Sequence, residues 1–108
     1  RDLAALMQMY LNGGKYGGKE YLSAEIIKEY TKCQFCADSL SENRRGAGFD
    51  KPVLDGEGGP TCECVSIASF GHTGFTGTIS WADPVNGIVY IFLSNRIHPR
   101  ADNKNWLK

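Results

Sequence analysis

Apolar residues recur at helical spacing from the start of the chain. Leu3, Leu6, Met7, Tyr10 and Leu11 share one face, and Asp2 stands where it can cap the first turn. Asn12-Gly13-Gly14 ends the pattern, and Lys15 to Lys19, with Gly17-Gly18 inside, suits a tight turn or small hairpin. Ser23 predicts the N-cap of a second helix, with Leu22 and Ile27 as a hydrophobic staple. Ile26, Ile27 and Tyr30 would form its buried stripe, which fades near Thr31.

The period changes in the second half. Gly46 to Asp50 reads as a short strand, and Lys51 to Ser66, rich in Gly and Pro, as a flexible loop. Thr78 to Ala82 alternates as a half-buried strand does, and Asp83-Pro84-Val85-Asn86-Gly87 supplies a turn. Ile88 to Leu93 is apolar nearly throughout, which predicts a central strand covered on both faces. Ser94 to Pro99 leaves the sheet, and Arg100 to Lys108 begins a terminal helix. The expected fold is α+β: an antiparallel sheet of about three strands with flanking helices.

A length of 108 residues allows one small domain. The chain opens directly in a helical pattern, with no initiator Met and no charged leader, and reads as an excised, partial domain of a longer protein. Twelve basic residues balance twelve acidic ones, so no basic surplus drives nucleic-acid binding. The apolar run Ile88 to Leu93 is too short to be a transmembrane segment.

Ser69 to Thr78 concentrates the chemistry. Gly71, Gly74 and Gly77 are expected to leave the backbone open to a ligand, with an imidazole and a hydroxyl between them. Phe70 and Phe75 are expected to pack in the core or at its rim, and His98 and Arg44-Arg45 to sit in solvent. Two cysteine pairs, Cys33/Cys36 and Cys62/Cys64, fall in the variable connections. Four thiolates could hold zinc; a disulfide tying the two loops together would suit an exported protein; free thiols are the third reading. The acidic stretch at Asp55 and Glu57 lacks the spacing of a calcium loop, and no cofactor is called for.

His72-Thr73-Gly74 on a strand, then a Gly-rich bend, a hairpin strand and Leu93-Ser94-Asn95-Arg96, resembles the third motif of serine β-lactamases and penicillin-binding proteins and its surroundings. That motif is usually Lys-Thr-Gly. The likeness to the C-terminal part of class C β-lactamases and their esterase and peptidase relatives runs almost end to end. Asp2-Leu3-Ala4 through Gly13-Gly14 is similar to a helix ending in a glycine pair, and Tyr21-Leu22-Ser23 to the next helix start. Arg45-Gly46-Ala47-Gly48-Phe49 resembles the following strand, and Phe92 to Arg96 the strand that closes the sheet.

The resemblance implies roles. His72 would orient substrate and polarise the proton network, and Thr73 would hydrogen-bond the substrate's polar group. The N–H of Phe75 would be one of two oxyanion donors, Gly74 would let the substrate lie close, and Asn95 would help bind a carboxylate. Histidine in place of lysine removes a permanent cation, which favours ester, peptide or transfer chemistry over β-lactam hydrolysis. No Ser is followed three residues later by Lys, and no Tyr-x-Asn or Tyr-x-Ser fits. The isolated chain is therefore expected to be inactive. The nucleophile would come from the upstream remainder of the same domain, in an exported bacterial hydrolase of small acyl substrates (esters, amides or peptides). Readings of another class are a noncatalytic binding or scaffold module, or a small zinc- or disulfide-stabilised interaction domain.

Overall fold

A computed structural model describes residues 1–36, 44–53 and 59–102. Helix α1, Asp2–Leu11, starts one residue earlier than the capping pattern implies. Arg1 holds the N-cap position without a side-chain bond, and Asp2 lies inside the first turn, where its charge suits the helix dipole. The amides of Asn12, Gly13 and Gly14 close the far end on the carbonyls of Gln8, Tyr10 and Met9. The predicted hairpin forms as β1, Lys15–Tyr16, against β2, Lys19–Glu20.

Helix α2, Ala24–Thr31, is capped as expected: the Ser23 hydroxyl accepts from Ile26 N at 3.3 Å. Its stripe differs from the prediction. Ile27 and Thr31 are buried, whereas Ile26 and Tyr30 are exposed. The two buried positions are four apart, so only one narrow edge of this short helix meets the body of the fold.

Three strands form the main sheet, β3 (Phe70–Thr73), β4 (Ile79–Asp83) and β5 (Ile88–Phe92), antiparallel in that order. The register pairs Phe70 with Ala82 and Ala82 with Val89. Helix α1 lies on one face. Met7, Phe70 and Ala82 are buried there, with Tyr10, Leu11, Phe49, Val89 and Ile91 packed around them. Tyr10, Phe49 and Phe70 meet edge to face, at 5.2 Å for Tyr10–Phe49 and Phe49–Phe70.

Two strand expectations need correction. Strand β5 is not covered on both faces: it is an edge among the described strands, with Ile88, Tyr90 and Phe92 exposed on the side away from α1. Gly46 to Asp50 is not a strand but a tight bend closed at its ends by isolated bridges, Arg45 to Asp50 and Asp50 to Gly71. Residues 103–108 of the expected terminal helix, and 54–58 of the expected loop, lie outside the described residues. Residues 101–102 form a turn.

Lys51 ties the pieces together. Only 4% exposed, its Nζ donates to the carbonyls of Thr31 and Ala68, both at 3.0 Å, joining the end of α2 to the approach to β3. Burial, with Arg44 adding like-charge repulsion, brings its amine down to about 8. The unfolded amine titrates about two units higher, so the unfolded chain holds more protons between those values and stability rises with pH through this window. Chemical denaturation between pH 8 and pH 10.5 should show that rise, and Lys51→Met should lack it.

Candidate active site

Strand β3 carries the predicted chemistry on an edge that is only partly covered. Asp50 N donates to the Gly71 carbonyl at 2.7 Å and Gly71 N to the Asp50 carbonyl at 3.2 Å, so Gly71 turns its backbone away from β4. By alternation Thr73 does the same, one step beyond the reach of Asp50. His72 Nδ1 lies 2.6 Å from the Thr73 carbonyl oxygen. A carbonyl only accepts, so Nδ1 carries a proton and donates it here, which in the neutral tautomer makes Nε2 the acceptor. This contact also draws the exposed imidazole to the free edge of the strand.

The turn after β3 is built by Gly74 N donating to the Thr78 carbonyl at 2.6 Å and Gly77 N donating to the Gly74 carbonyl at 2.9 Å. Phe75 sits at its tip, 72% exposed rather than packed in the core. Its backbone N–H has no acceptor among the described residues. The segment after β5 braces this turn: Arg96 N and Ser94 Oγ both donate to the Thr76 carbonyl, at 2.9 and 3.1 Å. The Arg96 guanidinium lies 4.8 Å from the Phe75 ring centre. Asn95, exposed between these two braces, is thus held beside the turn, and its carbonyl accepts from His98 N at 3.1 Å.

The structure therefore brings His72, Thr73, Gly74, Phe75 and Asn95 to one end of the sheet. Of the three glycines, only Gly74 leaves room for a ligand, with nothing nearer than 3.6 Å to where a Cβ would stand. Gly71 instead accommodates the Trp81 ring, and Gly77, with φ +90°, accommodates Ser94 and Arg96. Sequence reading missed Arg96, Ser94 and Thr76 as supports, because their partners lie 18 to 21 positions away along the chain and no periodicity links them.

The cysteines do not gather. Cys33 bonds Cys36 and Cys62 bonds Cys64, each disulfide closing within its own loop rather than tying the two together. All four sulfurs are consumed in these local pairs, so they present no tetrahedral set for zinc. Among the described residues no group of three or more His, Cys, Asp or Glu is placed to hold a metal. Arg44 and Arg45 are not simply solvated: Arg44 Nε donates to the Pro52 carbonyl at 3.0 Å and Arg45 pairs with Asp50 at 3.2 Å.

A family profile described as Beta-lactamase matches residues 1–108. The chain belongs to the beta-lactamase family. Two provisionally assigned D-alanyl-D-alanine carboxypeptidases of Escherichia coli, from O157:H7 and K12, are 39% and 38% identical to it over 105 residues, 94% of this chain. The chain spans 22% of the length of these curated relatives. Among solved structures, a penicillin-binding protein homolog from Caulobacter crescentus superposes with a TM-score of 0.65 at 30% identity, over 86% of this chain and 24% of that one. A family VIII carboxylesterase superposes with a TM-score of 0.63 at 26% identity, over 88% and 25%. The beta-lactamase family resemblance read from the sequence holds, as does the α+β fold. No helix among the described residues is long and apolar enough to cross a membrane.

Proposed function

We propose that residues 70–78 and Asn95 form the substrate-holding wall of an acyl-transfer site whose serine nucleophile and base lie upstream in the same domain. One observation carries the reading: the outward-facing N–H of Thr73 on β3 leads directly into a turn whose Phe75 N–H has no acceptor among the described residues. An extended acyl substrate can lie along that edge as an added strand. Its carbonyl then meets the Phe75 amide, a preorganised donor for the oxyanion that forms on attack. Thr73 contributes its hydroxyl, and Gly74 keeps the approach clear.

His72 gives this wall its chemical character. With Nδ1–H held by the Thr73 carbonyl, the Nε2 of a neutral tautomer can accept a proton, which a lysine ammonium cannot. That suits a relay of the proton between nucleophile and leaving group, and substrates with an ester or a peptide amide. The relatives' names point to peptides ending in D-alanine and to carboxylic esters as the first substrates to try. Asn95, exposed beside this turn, would meet a substrate carboxylate.

The upstream remainder of the domain also explains the exposed side of β5, since Ile88, Tyr90 and Phe92 form an apolar face that a larger fold would cover. An exported, periplasmic setting fits the local disulfides and the bacterial relatives. The test is a graft: residues 1–108 replace the matching segment of the Escherichia coli K12 relative, and hydrolysis of a D-alanyl-D-alanine peptide and a p-nitrophenyl ester is followed. His72→Ala and Thr73→Val in the graft should each lower kcat/KM about 100-fold, the size usual for general acid–base and oxyanion partners. An active graft indifferent to both changes would overturn the proposal.

A further inference from the structure

A second cleft, about 520 Å³ in volume, opens among α1, α2 and the approach to β3, and neither His72 nor Thr73 lines it. Its walls combine apolar Ile27, Ile67 and Phe70 with the cations Lys28, Arg44 and Lys51. Among the described residues no carboxylate lines it. Lys28, Arg44 and Lys51 make no ion pair with any described residue, in contrast to Lys32 at the rim, which binds Glu29 at 2.7 Å.

Lys51 and Arg44 stand close in this space, and each spends hydrogen bonds only on neutral carbonyls: Thr31 and Ala68 for Lys51, Pro52 for Arg44. Carbonyls satisfy donors but leave the charge uncompensated. Two like charges facing an apolar cavity favour an incoming anion, which relieves their repulsion and their lost hydration together. A small inorganic anion would leave the apolar wall wet, and a neutral apolar molecule would leave the cations unpaired. The volume falls in the range of sites for mid-sized organic ligands.

We propose that this cleft binds an amphipathic organic anion, a medium-chain carboxylate, with its head on Arg44 and Lys51 and its tail against Ile27, Ile67 and Phe70. The site is separate from the acyl-transfer wall and does not depend on it.

The test is calorimetric titration of the full chain at pH 7 with sodium octanoate, octan-1-ol and inorganic phosphate. Octanoate should bind one to one, about tenfold tighter than either control, and weaken as salt is raised. Arg44→Gln should cost about tenfold in affinity, read beside its own melt because the bond to Pro52 is lost, while Arg44→Lys keeps most of the affinity. Octanol binding as tightly as octanoate, or a folded chain that ignores octanoate at millimolar concentration, would overturn the proposal. The same titration on the graft, against the unmodified relative, decides the matter if the chain melts on its own.

Discussion

Replacing Gly71 by alanine should destabilise the chain by about 3 kcal/mol and lower its melting temperature by ~12 °C. A Cβ at this position would stand inside contact distance of the Ser80 carbonyl and the Trp81 ring. Neither neighbour can move cheaply. Ser80 belongs to the central strand β4, and Trp81 is 3% exposed, with its indole N–H donating to the fully buried Ser69 hydroxyl at 3.0 Å. Relief would require parting β3 from β4 or expelling the ring. Gly74→Ala is the matched control, since its Cβ meets nothing closer than 3.6 Å and should leave the melt nearly unchanged. Circular dichroism melts of the two variants separate a packing glycine from a ligand-side glycine.

Asp83→Asn should cost about 3 kcal/mol at neutral pH, through loss of charge-assisted bonds and an amide turned against donors. The Asp83 carboxylate is 4% exposed and collects five donors. Oδ1 accepts from Ser66 Oγ at 2.6 Å and from Val85 and Asn86 N at 3.0 and 3.2 Å. Oδ2 accepts from Ser66 N at 2.7 Å and Asn86 Nδ2 at 2.8 Å. Burial alone would raise its pKa, but the hydrogen bonds from Ser66 and Asn86 outweigh burial and hold it far below the usual carboxylate range. The sign follows: the stabilisation is complete above the unfolded pKa near 4 and is lost as pH falls below it. Urea denaturation should therefore show a wide gap between parent and variant at pH 6 that narrows by pH 2.5. A gap independent of pH would mean that the carboxylate's charge contributes nothing.

Local pattern made much of this fold legible. The helix of Leu3, Met7 and Tyr10, the Ser23 cap, the Gly17-Gly18 hairpin and the existence of the β4 and β5 strands all follow from neighbours in sequence. What escaped depends on partners distant along the chain. The run Ile88 to Leu93 states that apolar residues alternate poorly, not what covers them, and β5 presents Ile88, Tyr90 and Phe92 on an uncovered side. Gly71 and Gly77 read as ligand glycines because Trp81 and Ser94, which they accommodate, announce nothing in the sequence. The motif His72-Thr73-Gly74 pointed to the right family, whereas the braces that hold its turn, Ser94 and Arg96 on Thr76, surfaced only in three dimensions. Lys51 shows the same limit: it opens the stretch read as a flexible loop, yet it is buried with its amine on two carbonyls.

In the proposed division of labour, this segment would hold the acyl group and an upstream serine would attack it. Mapping the acyl adduct tests that division directly. The graft is incubated with a slowly released acylating ester, quenched in acid, digested, and its labelled peptide identified by mass spectrometry. The label should fall upstream of the grafted segment, at a serine followed three residues later by lysine, and should form more slowly when His72 is alanine. A label on any residue between 1 and 108, or turnover by the 108-residue chain alone, would contradict the account.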